Sequence, residues 1–121
     1  MPVASEAAVP GEVHVEHRYP QGWAFLSEHG ADAVAVLHVL ASQAEVVDGR
    51  LVAQASTRGI AARLGFLSKD SVHRRLRQLR RTGTIEALPP SPRPLDAPTY
   101  VLHLDDTGLT VTRPGPTYRR P

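Results

Sequence analysis

Cysteine is absent from the 121 residues, which excludes disulfide staples and thiolate metal sites and fits a reducing, cytosolic compartment. Aromatics are scarce at 5%, so a core has to be built from Leu, Val, Ile and Ala. Long apolar runs are also missing. Nothing approaches the roughly 20 residues needed to span a bilayer, and the opening MPVASEAAVPGEV has no basic stretch leading into an apolar one, so no secretory signal is expected. Lysine is nearly missing: of the 14 basic residues every one is Arg except Lys69. That bias suits a GC-rich coding sequence as readily as anion binding and decides nothing by itself. The hydrophobic share of 41% is ordinary for a globular protein, and the length suits one domain with a single core.

The net charge of +2 conceals a strong polarity along the chain. Between Arg58 and Arg81 stand eight basic residues (Arg58, Arg63, Lys69, Arg74, Arg75, Arg77, Arg80, Arg81) and one acid, Asp70, a balance of +7. From Met1 to Thr57 two Arg face seven acids, a balance of −5. A basic stripe on an otherwise acidic domain points to one face meeting a polyanion.

Residues 1–11 are small, aperiodic and contain Pro and Gly, and are expected to form a disordered arm. Glu12 to Tyr19 alternates weakly as a strand, closed by Pro20-Gln21-Gly22, and Trp23, Phe25 and Leu26 supply bulk for the edge of a core. The first helix is expected from Asp32 to Glu45. From Ala33 to Ala41 only His38 is polar, and a helix apolar nearly all round is buried on several sides. In so short a chain, a second copy is one way to bury it. Asp48-Gly49 signals a turn and Leu51 to Gln54 a short strand.

Ser56 or Thr57 can cap a second helix running to Leu64, and Gly65 is placed to end it in the left-handed conformation. Ser68 caps a third helix, Lys69 to Arg81, closed by Gly83. Thr84 to Leu88 and Thr99 to Leu104 read as the strands of a hairpin whose tip, residues 89–98, carries five prolines and cannot be helical. Leu109 to Thr112 follows as a last strand, and residues 113–121 form a basic, Pro-rich tail. The domain thus spans residues 12–112. There is no internal repeat.

Within the third helix, Val72, Leu76 and Leu79 fall within about 60° of one another, the spacing of a buried stripe. Asp70, Arg74, Arg77, Gln78 and Arg81 lie opposite, with Lys69, His73, Arg75 and Arg80 on the flanks. A charged helix face is usually just solvated, but solvated faces mix signs. Here like charges crowd at spacings such as Arg74–Arg77 and Arg77–Arg81, which is destabilising unless something compensates. A phosphate backbone would. A helix fits the major groove, where Arg bridges two guanine acceptors and Gln pairs with adenine, while flanking cations take phosphates.

In the helix before it, Ile60, Ala61 and Leu64 make an apolar edge, and Ala61 is small enough for a close crossing. The run S-T-R-G-I-A-A-R-L-G-F-L-S-K-D-S-V-H-R-R-L-R-Q-L-R-R-T-G-T-I resembles the winged helix-turn-helix pattern of bacterial regulators and plasmid replication or partition proteins. The matching positions are Ile60-Ala61, Leu64-Gly65, Ser71-Val72, Leu76, Leu79, Gly83 and Ile85, and the resemblance covers residues 23–104. The turn is one residue longer than in the compact form of the motif, because Val72 follows Gly65 by seven residues rather than six.

The resemblance implies an α+β fold: a winged helix-turn-helix, with a three-helix core and a β-hairpin wing. It implies binding of double-stranded DNA by a homodimer formed through residues 12–45, with half-sites about one helical turn apart. The expected DNA-binding residues are Arg58, Arg63, Ser68, Lys69, Asp70, Ser71, His73, Arg74, Arg77, Gln78, Arg80, Arg81 and, in the minor groove from the wing, Arg93. The leading role is transcriptional regulation in a bacterial cytoplasm, at the nucleoid. Plasmid or mobile-element partition or replication uses the same chemistry on tandem repeats. A protein-binding winged helix would have an uncharged third helix. RNA binding by single strands would want stacking aromatics on the basic face.

No cofactor, metal or enzyme activity is expected. His14, His17, His29, His38, His73 and His103 are scattered without metal-ligand spacing; His38 is read as a core or interface histidine. Glu12, Glu16 and Glu28 have no partner base, and no phosphate-loop, nucleophile-elbow or dinucleotide motif occurs.

Overall fold

A computed structural model describes residues 14–90 and 97–112. Six strands and four helices follow in the order β1 (His14–His17), α1 (Gln21–His29), α2 (Ala31–Ser42), β2 (Glu45–Val47), β3 (Arg50–Gln54), α3 (Thr57–Leu64), α4 (Lys69–Arg81), β4 (Ile85–Ala87), β5 (Thr99–Leu102) and β6 (Leu109–Thr112). The fold is α+β, a winged helix-turn-helix. The expected three-helix core is α2, α3 and α4, and the wing is the β4–β5 hairpin. Residues 91–96 of its tip, with Arg93, lie outside the described residues, as do the arm and the tail.

One antiparallel sheet has the strand order β2-β3-β5-β4. Its register pairs Leu51 with Leu102 and Ala53 with Tyr100 on one side of β5, and Ile85 with Leu102 on the other. Directly opposed residues share a face, so Leu51, Ala53, Ile85, Tyr100 and Leu102 all turn toward the helices, where they join the core. Asp48 and Gly49, with φ of 53° and 77°, make the β2–β3 turn. Both central residues need positive φ in the tight hairpin turn that Asp-Gly favours.

A separate two-stranded sheet pairs β1 with β6, His14 opposite Thr112 and His17 opposite Leu109. It packs Val15, Leu109 and Val111 onto the core.

Helix α2 supplies the centre of that core: Ala33, Val36, Leu37, Leu40 and Ala41 are fully buried. The covering comes from the chain itself, because α1, α3, α4 and β1 all pack against α2. Its apolar circumference therefore does not call for a second copy. The helix also ends at Ser42 rather than Glu45. Gln43 turns out of the helix, and Glu45 begins the edge strand β2.

Helix α1 was not expected from the sequence. It buries Gly22 and Phe25, and the tight packing explains the glycine: a Cβ there would run into the His17 ring, and one on Gly108 would run into the Gly22 backbone.

Candidate nucleic-acid interface

The helix-turn-helix is built from local signals that act as anticipated. The Ser56 hydroxyl accepts the Gly59 N–H at 2.9 Å, starting α3, and Gly65, at φ 78°, ends it by donating its N–H to the Ala61 carbonyl at 2.9 Å. The extra turn residue leaves Phe66 standing 64% exposed. The Ser68 hydroxyl then accepts the Ser71 N–H at 3.1 Å, which fixes the start of α4 at Lys69. Such caps satisfy one of the donors orphaned at a helix start.

Val72, Leu76 and Leu79 are buried against α2 and α3, so the stripe seats α4 at a defined rotation. Asp70 in the first turn and Arg80 and Arg81 in the last oppose the helix dipole favourably at both ends.

That rotation turns Lys69, Asp70, His73, Arg74, Arg77, Arg80 and Arg81 outward as exposed residues. Arg74 donates to the Ser71 hydroxyl at 3.3 Å, and Arg77 approaches His73 Nε2 at 3.2 Å. Neither partner is a carboxylate. Among the described residues, the carboxylates found close to a basic side chain face histidines, Glu28 beside His29 and Glu86 beside His103; no Arg or Lys from 58 to 81 is within ion-pair distance of a carboxylate. The positive face is held in place by packing and capping, and among the described residues no carboxylate pairs with its Arg and Lys side chains.

Arg58 and Arg63 are exposed on α3, and Arg63 reaches back to the Ser42 hydroxyl at 3.5 Å. Arg80 lies near the wing strand β5. Burial pushes the Tyr100 phenol above its usual range, and the Arg80 guanidinium partly offsets that rise. The wing's return limb is pinned to β3, with Ala55 N–H donating to the Pro98 carbonyl at 3.0 Å and Gln54 Nε2 to the Ala97 carbonyl at 3.1 Å.

Gln78 departs from the expected face. Counting 100° per residue puts it outward, but it is half-buried, with its amide nitrogen 3.2 Å from the His29 carbonyl and 3.4 Å from His29 Nδ1. Nothing in the sequence signals this contact, because its partner lies in α1, 49 residues away.

A capped helix, a left-handed glycine turn, a second capped helix with an outward cationic face, and an adjoining hairpin are together the arrangement that places a helix in a DNA groove. Residues 51–94 match the family model of the LexA DNA binding domain. The LexA-type segment begins in β3, contains α3, α4 and β4, and runs into the wing. No curated protein and no solved structure matches the chain. The LexA-type segment supplies the helix-turn-helix, while α1, α2, β2, β5 and the β1–β6 sheet lie outside it. The chain therefore carries a winged helix-turn-helix of DNA-binding type. No helix among the described residues is long and apolar enough to cross a membrane.

Proposed function

We propose that this protein is a non-enzymatic transcriptional regulator that binds specific sequences in double-stranded DNA as a homodimer, in the cytoplasm of a bacterium and at its nucleoid. The observation that carries the reading is the outward cationic face of α4, unpaired with any carboxylate among the described residues, on a LexA-type helix-turn-helix. In this reading Arg74 and Arg77 meet base edges in the major groove, helped by Lys69, Asp70, Ser71, His73 and Arg81. Arg58, Arg63 and Arg80 take phosphates, and Arg93 reaches the minor groove from the wing. Ser68 serves the interface by fixing where α4 starts.

The dimer is proposed through the surface of residues 12–45. Since α2 is consumed by its own core, the contact falls to Tyr19 and Trp23, 81% and 64% exposed. Large exposed aromatics of this kind anchor interfaces. Light scattering after size exclusion tests it: Trp23→Glu should convert a dimer to a monomer, and a wild-type monomer at all concentrations refutes the dimer.

DNA recovered with the protein and footprinted supplies the target duplex. Isolated inverted sites indicate an operator, and a tandem array indicates plasmid partition or replication. On that duplex, Arg74→Ala with Arg77→Ala should abolish specific binding while circular dichroism and the oligomeric state stay unchanged. Retention of binding with the same salt dependence would show that α4 is not the reading helix.

A further inference from the structure

We propose that His29 is a positioning residue for DNA reading, acting through Gln78 to hold α4 in register with the core, and that only its neutral ring completes the contact. The proposal rests on α4 being the reading helix.

His29 is the last residue of α1, and its backbone carbonyl is among those a helix C-terminus leaves without a partner. Gln78 on α4 supplies one, at 3.2 Å. A carbonyl can only accept, so the Gln78 group facing it is the NH₂ and not the oxygen. The same nitrogen stands 3.4 Å from His29 Nδ1, so Nδ1 offers its lone pair and the ring proton sits on Nε2, which faces the Glu28 carboxylate at 3.8 Å. The ring has little freedom to escape: its side chain is 8% exposed and lies against Phe25 with centroids 4.2 Å apart.

Protonation sets two donors against each other. An imidazolium carries N–H at Nδ1, opposite the Gln78 NH₂. Rotating the amide would present its oxygen to Nδ1 but would also turn that oxygen against the His29 carbonyl. Neither orientation serves both atoms. The contact holding the second half of α4 is therefore complete only with neutral His29. Gln78 follows Arg77 directly and lies one turn from Arg74 and Arg81, so its seating sets the aim of all three.

Several charges bear on the ring. Glu28 lies on its own helix. Across a cavity of about 300 Å³ stand Thr82, just after α4, and His103, Asp105 and Asp106 in the segment after β5. His103 is itself held by Glu86 at 3.3 Å.

The test is fluorescence anisotropy on the footprinted duplex at two pH values, one above and one below the ordinary histidine range. At the higher pH, His29→Ala and Gln78→Met should each weaken binding about tenfold, the loss expected for one buried hydrogen bond. The double variant should be no weaker than either single one. Asn carries an amide oxygen near the place of Nδ1, an acceptor that cannot be protonated. His29→Asn should therefore restore binding at the higher pH and lose less than wild type on acidification. Every other group is common to all the variants, so the comparison is the difference between wild type and His29→Asn.

If His29→Asn and His29→Ala lose equally with the wild-type pH profile, His29 is merely packing and the proposal is overturned. It is likewise overturned if Gln78→Met, which leaves the buried ring in place, binds like wild type while Arg74→Ala does not. In both cases the DNA reading itself survives. Failure of wild type to bind any duplex removes both.

Discussion

At the scale of single residues, the sharpest constraint lies where α1 meets the turn before β6. Gly108 has φ 75°, and a Cβ there would overlap the backbone of Gly22. Both effects act against a side chain: the left-handed conformation is strained for L-residues, and the neighbour is backbone that cannot rotate aside. Gly108→Ala should therefore lower stability by about 2 kcal/mol or more, read as a reduced urea midpoint with unchanged slope.

His38 makes a second residue-scale prediction. Burial lowers its basicity, and His17, with rings 6.0 Å apart, lowers it further. A histidine harder to protonate when folded leaves the unfolded chain binding more protons as pH falls below the ordinary value of 6.5. Its contribution is thus intact above that value and lost on acidification. Wild type should lose stability as pH falls below the ordinary histidine value, and His38→Gln should flatten that slope in denaturant titrations.

The same scale shows what composition and spacing can reveal. Ser68, Gly65 and the stripe of Val72, Leu76 and Leu79 act through neighbours three or four residues away, and their roles were readable. Gln78 answers to His29 across 49 residues, and helical periodicity carries no trace of that.

Among the elements, α4 depends on its cap because its own composition works against it. Like charges crowd along its outer face, so the start of the helix is where support is most useful. Ser68→Ala should reduce stability by about 1 kcal/mol, and amide exchange should quicken at residues 69–72 before the rest of the helix. Recovery of both by Ser68→Asp would tie the loss to the cap.

Helices α3 and α4 and the strands β5 and β6 were legible, since capping residues, a left-handed glycine and turns bound them. Helix α1 was hidden by Gly22 next to Pro20 and by the absence of a side-chain cap; it exists because Phe25 and His29 find partners in other elements. Strand β2 was hidden by its shortness, and Glu45 was absorbed into the preceding apolar run. The apolar circumference of α2 correctly signalled burial. That its own chain provides the cover was not deducible, because two of the covering elements, α1 and β1, were unread or weak.

For the whole molecule, the segregation of charge governs binding. The stretch from Arg58 to Arg81 carries +7 by count while the preceding 57 residues carry −5. A protein attached through phosphate contacts releases condensed counterions, so its affinity should fall steeply and linearly on a log–log plot against salt. Replacing Arg58, Arg63 or Arg80 singly by Ala should weaken binding on all sequences alike and lower that slope by about one unit each. Arg74→Ala should instead relax discrimination between sequences. Equal slopes for wild type and all three phosphate variants would exclude these residues from the contact.

The pairing of β1 with β6 has a mechanical consequence. With His14 opposite Thr112 and His17 opposite Leu109, the outer ends of the described chain leave the fold side by side. Tension between them opens the ladder one rung at a time, as a zip opens, rather than shearing all rungs together. The ladder yields first and at small force, like a fuse, while α2 and the seated α4 remain unloaded. A pull on this pair of strands is thereby kept away from α4.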